Sequence, residues 1–231
     1  MSFPAISILE SEQEQSAIMS QIPGIEIREA IDSDVSSLST VVARAFHPVN
    51  PYIKQCIPDT AQWRQWWEKA LLESIADPKS HPLTALDLAA LDESKRAIGL
   101  LCLTLFDPDE RGAGMFTLAG NPFPSDGDNE ALKAMVGTIV EHRERLMLGR
   151  THFLLELFGV DNTYKGRGIG LAMLCKACDI ADEAGHDVFV QANASAKDFY
   201  AKFGFQVQAE SVMPGELQYR EYLMLRPYKK Q

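Results

Sequence analysis

Leu157-Phe-Gly-Val-Asp-Asn-Thr-Tyr-Lys-Gly-Arg-Gly-Ile-Gly-Leu171 carries an apolar run up to Val160, a short polar loop, and three alternating glycines, Gly166, Gly168 and Gly170, that open a segment of helical periodicity. This reads as a strand, a glycine-rich turn and a helix N-terminus. Glycine lets the backbone come close to a ligand, and the unpaired amides and positive dipole end of the new helix favour an anion. Lys165 and Arg167 add mobile positive charge on either side of Gly166.

Spacing separates the families that use such a turn. A nucleoside-triphosphate loop needs Gly-Lys-Ser/Thr, but Ile169 and Leu171 follow Gly168 and Gly170. A dinucleotide fingerprint needs Gly-x-Gly-x-x-Gly, whereas these glycines are evenly spaced. About sixty residues follow the turn, too few to complete a doubly wound sheet whose βαβ units take roughly 30 residues each.

The stretch closely resembles the acyl-CoA loop of the GNAT superfamily of N-acetyltransferases. That signature is Gln/Arg-x-x-Gly-x-Gly/Ala after a valine-ended strand and a short approach ending in tyrosine. Val160, Tyr164, Gly168 and Gly170 stand at the family's spacing, while Lys165 replaces Gln/Arg and Asn162 replaces a frequent proline. Lysine keeps the charge without the planar donor fork. Backbone amides are expected to carry most of the pyrophosphate contact. A second block, Asn193-Ala-Ser-Ala-Lys-Asp-Phe-Tyr-Ala-Lys-Phe-Gly-Phe205, is similar to the family's Asn-x-x-Ala-x-x-Leu/Phe-Tyr-x-Lys-x-Gly-Phe at every defined place.

The resemblance covers about residues 25 to 226 and is most specific over 153–205. It implies an α/β (α+β) fold with a mixed, mostly antiparallel central sheet of about seven strands flanked by helices. The sheet would be split between the strand ending near Val160 and the strand 188–192. It further implies acetyl-CoA as cosubstrate, with no metal. Phe158, Gly159 and Val160 would line the acyl arm. Lys165, Gly166, Arg167, Gly168, Ile169 and Gly170 would hold the phosphates, with Asn193 and Tyr200 near the split.

Acetyl transfer to an amine sets three chemical requirements. An alkyl amine, whose pKa is ordinarily roughly 10, is protonated near neutral pH, so a base must take a proton before attack. Glu156 is the candidate: it is the sole carboxylate in the apolar strand Phe153 to Val160, where an unpaired charge is costly. The bland alternative is that strand alternation points it to solvent or to a surface lysine. Next, a donor must stabilise the tetrahedral oxygen. The resemblance assigns this to a backbone amide near the end of a strand that bulges from its neighbour, which selects the Val160 N–H, with Gly159 tolerating the distortion. Last, the departing thiolate needs a proton, which the family motif assigns to Tyr200. The alternative for Tyr200 is a core tyrosine with a satisfied hydroxyl.

The 231 residues, 46% hydrophobic and 23% charged, suit one ordinary globular domain, expected over 25–231 after a flexible arm at 1–24. No apolar run approaches the roughly 18 residues of a membrane span, and the N-terminus lacks the basic and apolar regions of a signal peptide. The expectation is a cytoplasmic protein, away from membranes, with Cys56, Cys102, Cys175 and Cys178 reduced. Cys175 and Cys178 form a Cys-x-x-Cys inside the helix after the turn, without a second ligand pair, which argues against metal or redox use. The formal charge of −10 argues against a nucleic-acid partner. It mildly favours a cationic acceptor, although an acidic surface also serves solubility. A homodimer is left open.

Along the chain, Asp32-Ser-Asp34 caps a helix running to Phe46, and Pro48 to Pro58 reads as a loop. Trp63, Trp66 and Trp67 on the next helix, 60–75, are either an aromatic wall for an acceptor or anchors to the core. Leu83–Leu91 and Ala97–Phe106 form a hairpin. The Gly-, Pro- and Asp-rich segment 107–129 is a candidate cover for the acceptor site. A helix at 130–147, the strand to Val160, a helix stopping at Gly185, a strand at 188–192, a helix at 196–203 and a hairpin turned at Pro214-Gly215 complete the order. The reading is an acetyl-CoA-dependent N-acetyltransferase acting directly on a primary amine of a small molecule, without an acyl-enzyme. The alternatives are a protein N-terminal or lysine acetyltransferase, and a non-catalytic acyl-CoA-binding protein.

Overall fold

The computed structural model describes residues 22–112, 114–118, 122–213 and 219–230. Most of the expected arm at 1–24 and the turn at Pro214-Gly215 lie outside the described residues. Seven strands form one sheet: β1 (Ile25–Glu29), β2 (Ser80–Asp87), β3 (Ala97–Phe106), β4 (His152–Val160), β5 (Asp187–Asn193), β6 (Gln206–Val212) and β7 (Arg220–Arg226). Their spatial order is β1-β2-β3-β4-β5-β7-β6. Every neighbouring pair is antiparallel except β4 and β5.

That parallel pair makes the site. β4 and β5 are joined only from His152 to Leu155 and from Asp187 to Val190. Beyond Leu155, β4 stays with β3 as far as Val160, while β5 stays with β7 as far as Asn193. Each strand keeps a partner on its outer side, so the sheet parts along the seam without leaving either strand wholly unpaired. The split stands where the family resemblance placed it.

The helices are α1 (Val35–Leu38), α2 (Val41–Phe46), α3 (Pro51–Cys56), α4 (Ala61–Ala76), α5 (Met115–Leu118), α6 (Asn129–Met147), α7 (Ile169–Ala184) and α8 (Lys197–Ala201). Leu100 and Cys102 of β3 face a core shared with α1 to α4 and α6, while Leu101 and Leu103 face the opposite core under α7 and α8. This is the two-residue alternation of a sheet buried on both faces. Among the described residues no helix is long and apolar enough to cross a membrane.

Several local expectations change. The helix expected over 35–46 is two short helices interrupted at Ser39-Thr40. The segment read as a loop contains α3: the Asn50 side chain accepts from the Ile53 amide, and Pro51 occupies the first turn, where its missing N–H costs nothing. β2 starts three residues earlier than its apolar run and stops at Asp87. Pro82 is tolerated because its carbonyl, and hence its absent N–H, face Ala30, just past the end of β1. The three tryptophans are core: Trp63, Trp66 and Trp67 are 1%, 6% and 2% exposed and pack edge-on or stacked with one another, Phe116 and Phe123.

Candidate active site

The glycine turn has the backbone an anion cradle requires. Gly166 and Gly168 have φ of +82° and +80°, the left-handed region that L side chains avoid, and a Cβ built on either would meet nothing within 4 Å. The turn is therefore open to solvent at the N-terminus of the 16-residue α7, with Lys165 and Arg167 exposed beside it. The Arg167 guanidinium lies 5.0 Å from the Tyr164 ring centre, and the Tyr164 hydroxyl donates to Asp87 at 2.6 Å. Ile169 has its side chain in the core at 1% exposure, so only its amide can face a ligand. These residues fit a pyrophosphate. They supply free amides, a helix dipole, two mobile cations and an unobstructed approach.

Where β4 leaves β5, its pairing with β3 slips. Cys102 pairs with Leu157 and Leu103 with Leu155, leaving Glu156 as the extra residue of a bulge. The slip thus lies four residues ahead of Val160. Gly159 stays in register with Leu100 and is needed for another reason: a Cβ there would lie 2.8 Å from the Ala45 Cβ and 2.9 Å from the Phe46 ring. The glycine admits α2 across the strand. Asp161 N–H donates to the Ile98 carbonyl at 2.7 Å. By the alternation of an antiparallel ladder, the Val160 N–H then points away from β3 and toward the gap left by β5. Phe158 flanks the same gap, with its ring 6.1 Å from Phe199 and 6.4 Å from Tyr200.

The bulge aims Glu156 at the face covered by the 107–129 segment and α6. The residue is half-buried there, and one of its carboxyl oxygens is cut off from solvent. Oε2 accepts the Met115 amide at 2.5 Å, Oε1 is sealed from solvent with no hydrogen-bond partner among the described residues, and Gly114 lies so close that any Cβ would overlap the carboxylate. Burial raises its pKa to about 7, against smaller opposing pulls from the Thr104 hydroxyl and the Met115 amide. The solvent-facing alternative for Glu156 is thereby removed. Of the segment 107–129, Gly114 and Met115 lie against Glu156 and Phe116 lines the same cleft.

Tyr200 comes from the other face of the sheet. It is 5% exposed on α8, among Phe158, Phe199 and Phe205, and burial raises its pKa. Glu156 and Tyr200 nevertheless line one cleft, an empty space of about 720 Å³ measured out to its opening. Base and acid candidates thus reach the split from opposite faces. Asn193, at the end of β5, also lines it, with its side-chain oxygen accepting from the Ala196 amide at 3.0 Å and from Ser195 Oγ at 2.7 Å. That role orients the entry into α8.

The sequence reading missed a second carboxylate. Glu221 of β7, 5% exposed, lines the same cleft, and burial raises its pKa to about 7. It lies directly across from Asn193 and accepts a short hydrogen bond from Gln191. Its signal in the sequence is an acid two residues before Leu223, on the inward side of an alternating strand. Tyr219 was missed too. Its ring stacks on Tyr52 with centres 4.9 Å apart, and its hydroxyl accepts from Asn50 at 2.9 Å, closing one wall. All four cysteines are buried and free; burial raises the pKa of the Cys178 thiol to about 12 and that of Cys175 as well, which leaves both as inert thiols.

The sheet is open and split at a parallel pair, with a solvent-exposed glycine turn on one side and a carboxyl-lined cleft on the other. Residues 129–228 match the family described as Acetyltransferase (GNAT) domain. No curated protein matches the sequence significantly. Among solved structures, the chain is similar to the ribosomal-protein-S18-alanine N-acetyltransferase of Escherichia coli at 12% identity and a TM-score of 0.54, over 90% of this chain and 96% of that one. It is similar to mosquito arylalkylamine N-acetyltransferase like 5b at 15% identity and a TM-score of 0.62, over 88% and 99%. The PaiA N-acetyltransferase of Thermoplasma acidophilum, solved in complex with coenzyme A, aligns at 16% identity and a TM-score of 0.52, over 89% and 100%. At such identities the structural likeness is one of fold. The match to the GNAT acetyltransferase family thus rests on residues 129–228, and the chain as a whole shares the fold of these acetyltransferases.

Proposed function

We propose that the protein transfers an acetyl group from acetyl-CoA directly to a primary amine of a small molecule, with Glu156 as general base and Tyr200 as general acid. The observation that carries this reading is a carboxyl sealed at the split of the sheet, poised near neutral pH and facing the same cleft as a buried tyrosine. A base whose pKa matches the working pH combines a useful ionised fraction with real basicity. The amine nitrogen attacks the thioester carbonyl carbon, so a C–N bond forms as the C–S bond breaks. The ammonium proton passes to Glu156, and the sulfur takes its proton from Tyr200, which burial keeps protonated beforehand.

The Val160 N–H, directed into the gap, donates to the carbonyl oxygen as negative charge develops on it. The amides of Gly166 to Gly170, with Lys165 and Arg167, hold the pyrophosphate and so fix the thioester at the seam. The inert thiols of Cys175 and Cys178 support direct transfer over an acyl-enzyme. Support for a small acceptor comes from the lining of the cleft: Phe46, Phe116, Ile139 and Tyr219 make mostly apolar walls around a few convergent polar groups, as small-molecule pockets have.

The test is calorimetric titration of acetyl-CoA and CoA, followed by free-thiol release across a panel of amines and peptides. Saturable binding with thiol release that depends on a small amine supports the reading. Release only with peptides contradicts the acceptor class, and absence of CoA binding contradicts the cradle.

A further inference from the structure

Two carboxylates share this cleft, and among the described residues neither has a basic side chain in salt-bridge contact. Glu156 Oε1 is sealed without a partner. Glu221, 5% exposed, is hydrogen-bonded only by the neutral amide of Gln191, whose own oxygen stands 3.5 Å from His142 Nδ1. The ladder puts these groups on one face. Leu155 is level with Val190 across the parallel pair, so Glu156 falls level with Gln191, and Gln191 and Asn193 share a face with Glu221, directly across from Asn193. Three adjacent strands, β4, β5 and β7, thus present Glu156, Gln191 and Glu221 to the same side. At roughly 4.8 Å between neighbouring strands and roughly 3.3 Å per residue for the two-residue offset along them, the two acidic backbones are about 12 Å apart, and further where the seam opens.

Among the described residues that line the cleft, no other side chain is charged; the buried Arg143 acts on Glu156 only from outside the lining, as a pull smaller than burial. Ile53, Ile57, Phe116 and Ile139 are apolar, while Tyr219 and Asn193 are neutral. Burying a carboxylate without a counter-ion is strongly unfavourable. One such group is explained by the base role. A second, across an apolar span, is not.

We infer that Glu221 is a specificity residue that binds a second cationic group of the acceptor, and that the preferred acceptors are compact diamines with one amine at Glu156 and the other at Glu221. This rests on the acetyl-transfer reading for the site but adds a recognition element to it. A diamine supplies both missing charges, and its methylene chain suits the apolar walls between them. The acidic balance of the chain, −10, favours the approach of a dication.

The experiment compares α,ω-diamines of four to six carbons with n-alkyl monoamines of matched length, read both as thiol release and as calorimetric binding in the presence of CoA. Wild-type protein is expected to prefer the diamine at least 10-fold in kcat/KM. Glu221→Gln, isosteric and neutral, is expected to raise KM for the diamine at least 10-fold, to change kcat little, and to leave monoamine turnover within 3-fold. Gln191→Leu, which removes the hydrogen bond orienting Glu221, is expected to give a smaller shift in the same direction. Turnover of amines without diamine preference in the wild type, or a preference untouched by Glu221→Gln, overturns the inference while the transfer reading stands. Diamine binding that depends on Glu221, with no thiol release, supports the recognition site and contradicts the transfer reading. Neither binding nor turnover overturns both. The wild-type comparison needs no variant to fold.

Discussion

The two parts of the proposed site are built on different principles. On one side, the anion cradle is a continuous stretch from Lys165 to Gly170, made of backbone amides and exposed to solvent. On the other, the proposed acceptor side is assembled from side chains on β4, β5 and β7 and from Met115 and Phe116, and these are buried or half-buried. A backbone-made site tolerates side-chain exchange and depends on dihedral angles. A side-chain-made site depends on register, so a single slip decides which groups meet. The Glu156 bulge is that slip: it turns both Glu156 and Leu157 to one side and places a carboxyl where regular alternation with β3 would not.

This contrast predicts effects of different kind and size. The largest belongs to the acceptor side. Glu156→Gln keeps shape and removes the base, so kcat should fall about 10²- to 10⁴-fold in thiol release, with acetyl-CoA affinity unchanged by calorimetry. The same variant should not be destabilised. Folded Glu156 has a pKa of about 7 against an ordinary value of 4.5, so the folded chain holds the proton more tightly than the unfolded one. Its contribution to stability is therefore fully present below about 4.5 and lost as pH rises through about 7. At pH 8 the neutral amide should raise the denaturant midpoint, by about 1 to 3 kcal/mol of stability. A loss of stability at that pH would mean that the carboxylate has a partner the geometry lacks.

Tyr200→Phe comes next, with kcat expected to drop about 10- to 100-fold and KM for the amine to stay within 3-fold. On the cradle side, Gly168→Val forces a β-branched residue into φ of +80°. It should weaken CoA binding at least 10-fold by calorimetry, with about 1 to 2 kcal/mol of strain. Equal effects on CoA and on amine binding would dissolve the division between the two sides. The smallest effect is expected for Lys165→Ala or Arg167→Ala. Both side chains are exposed, so each should cost only a few-fold in CoA affinity, and the difference should vanish at high salt.

The same contrast explains what the sequence made legible. The cradle could be read because its physics is local: glycines at fixed spacing, a preceding strand and a following helix. The split sheet was implied by the family resemblance that two such blocks in order carry. Glu156 stood out because a lone acid in an apolar strand is costly wherever the strand goes. Glu221 did not, since Arg-Glu-Tyr-Leu-Met-Leu-Arg reads as ordinary alternation until β7 is laid beside β5 and its acid is seen to face Gln191. α3 was hidden by a count of prolines that ignored position: Pro51 sits after the Asn50 cap, where proline starts a helix. Gly159 is set by the approach of Ala45 and Phe46 rather than by backbone distortion, and that contact spans more than a hundred residues of sequence.

The central claim is that the carboxyl at the split is the proton acceptor. Its most direct test is kcat for thiol release from acetyl-CoA, measured against pH with saturating amine, for wild type and Glu156→Gln. The account predicts a wild-type rate that rises tenfold per unit at low pH and levels off above about 7, because the protonated carboxyl cannot accept the amine's proton. In Glu156→Gln that inflection should be absent and the plateau at least 100-fold lower. A variant that keeps both the inflection and the rate would contradict the assignment of Glu156.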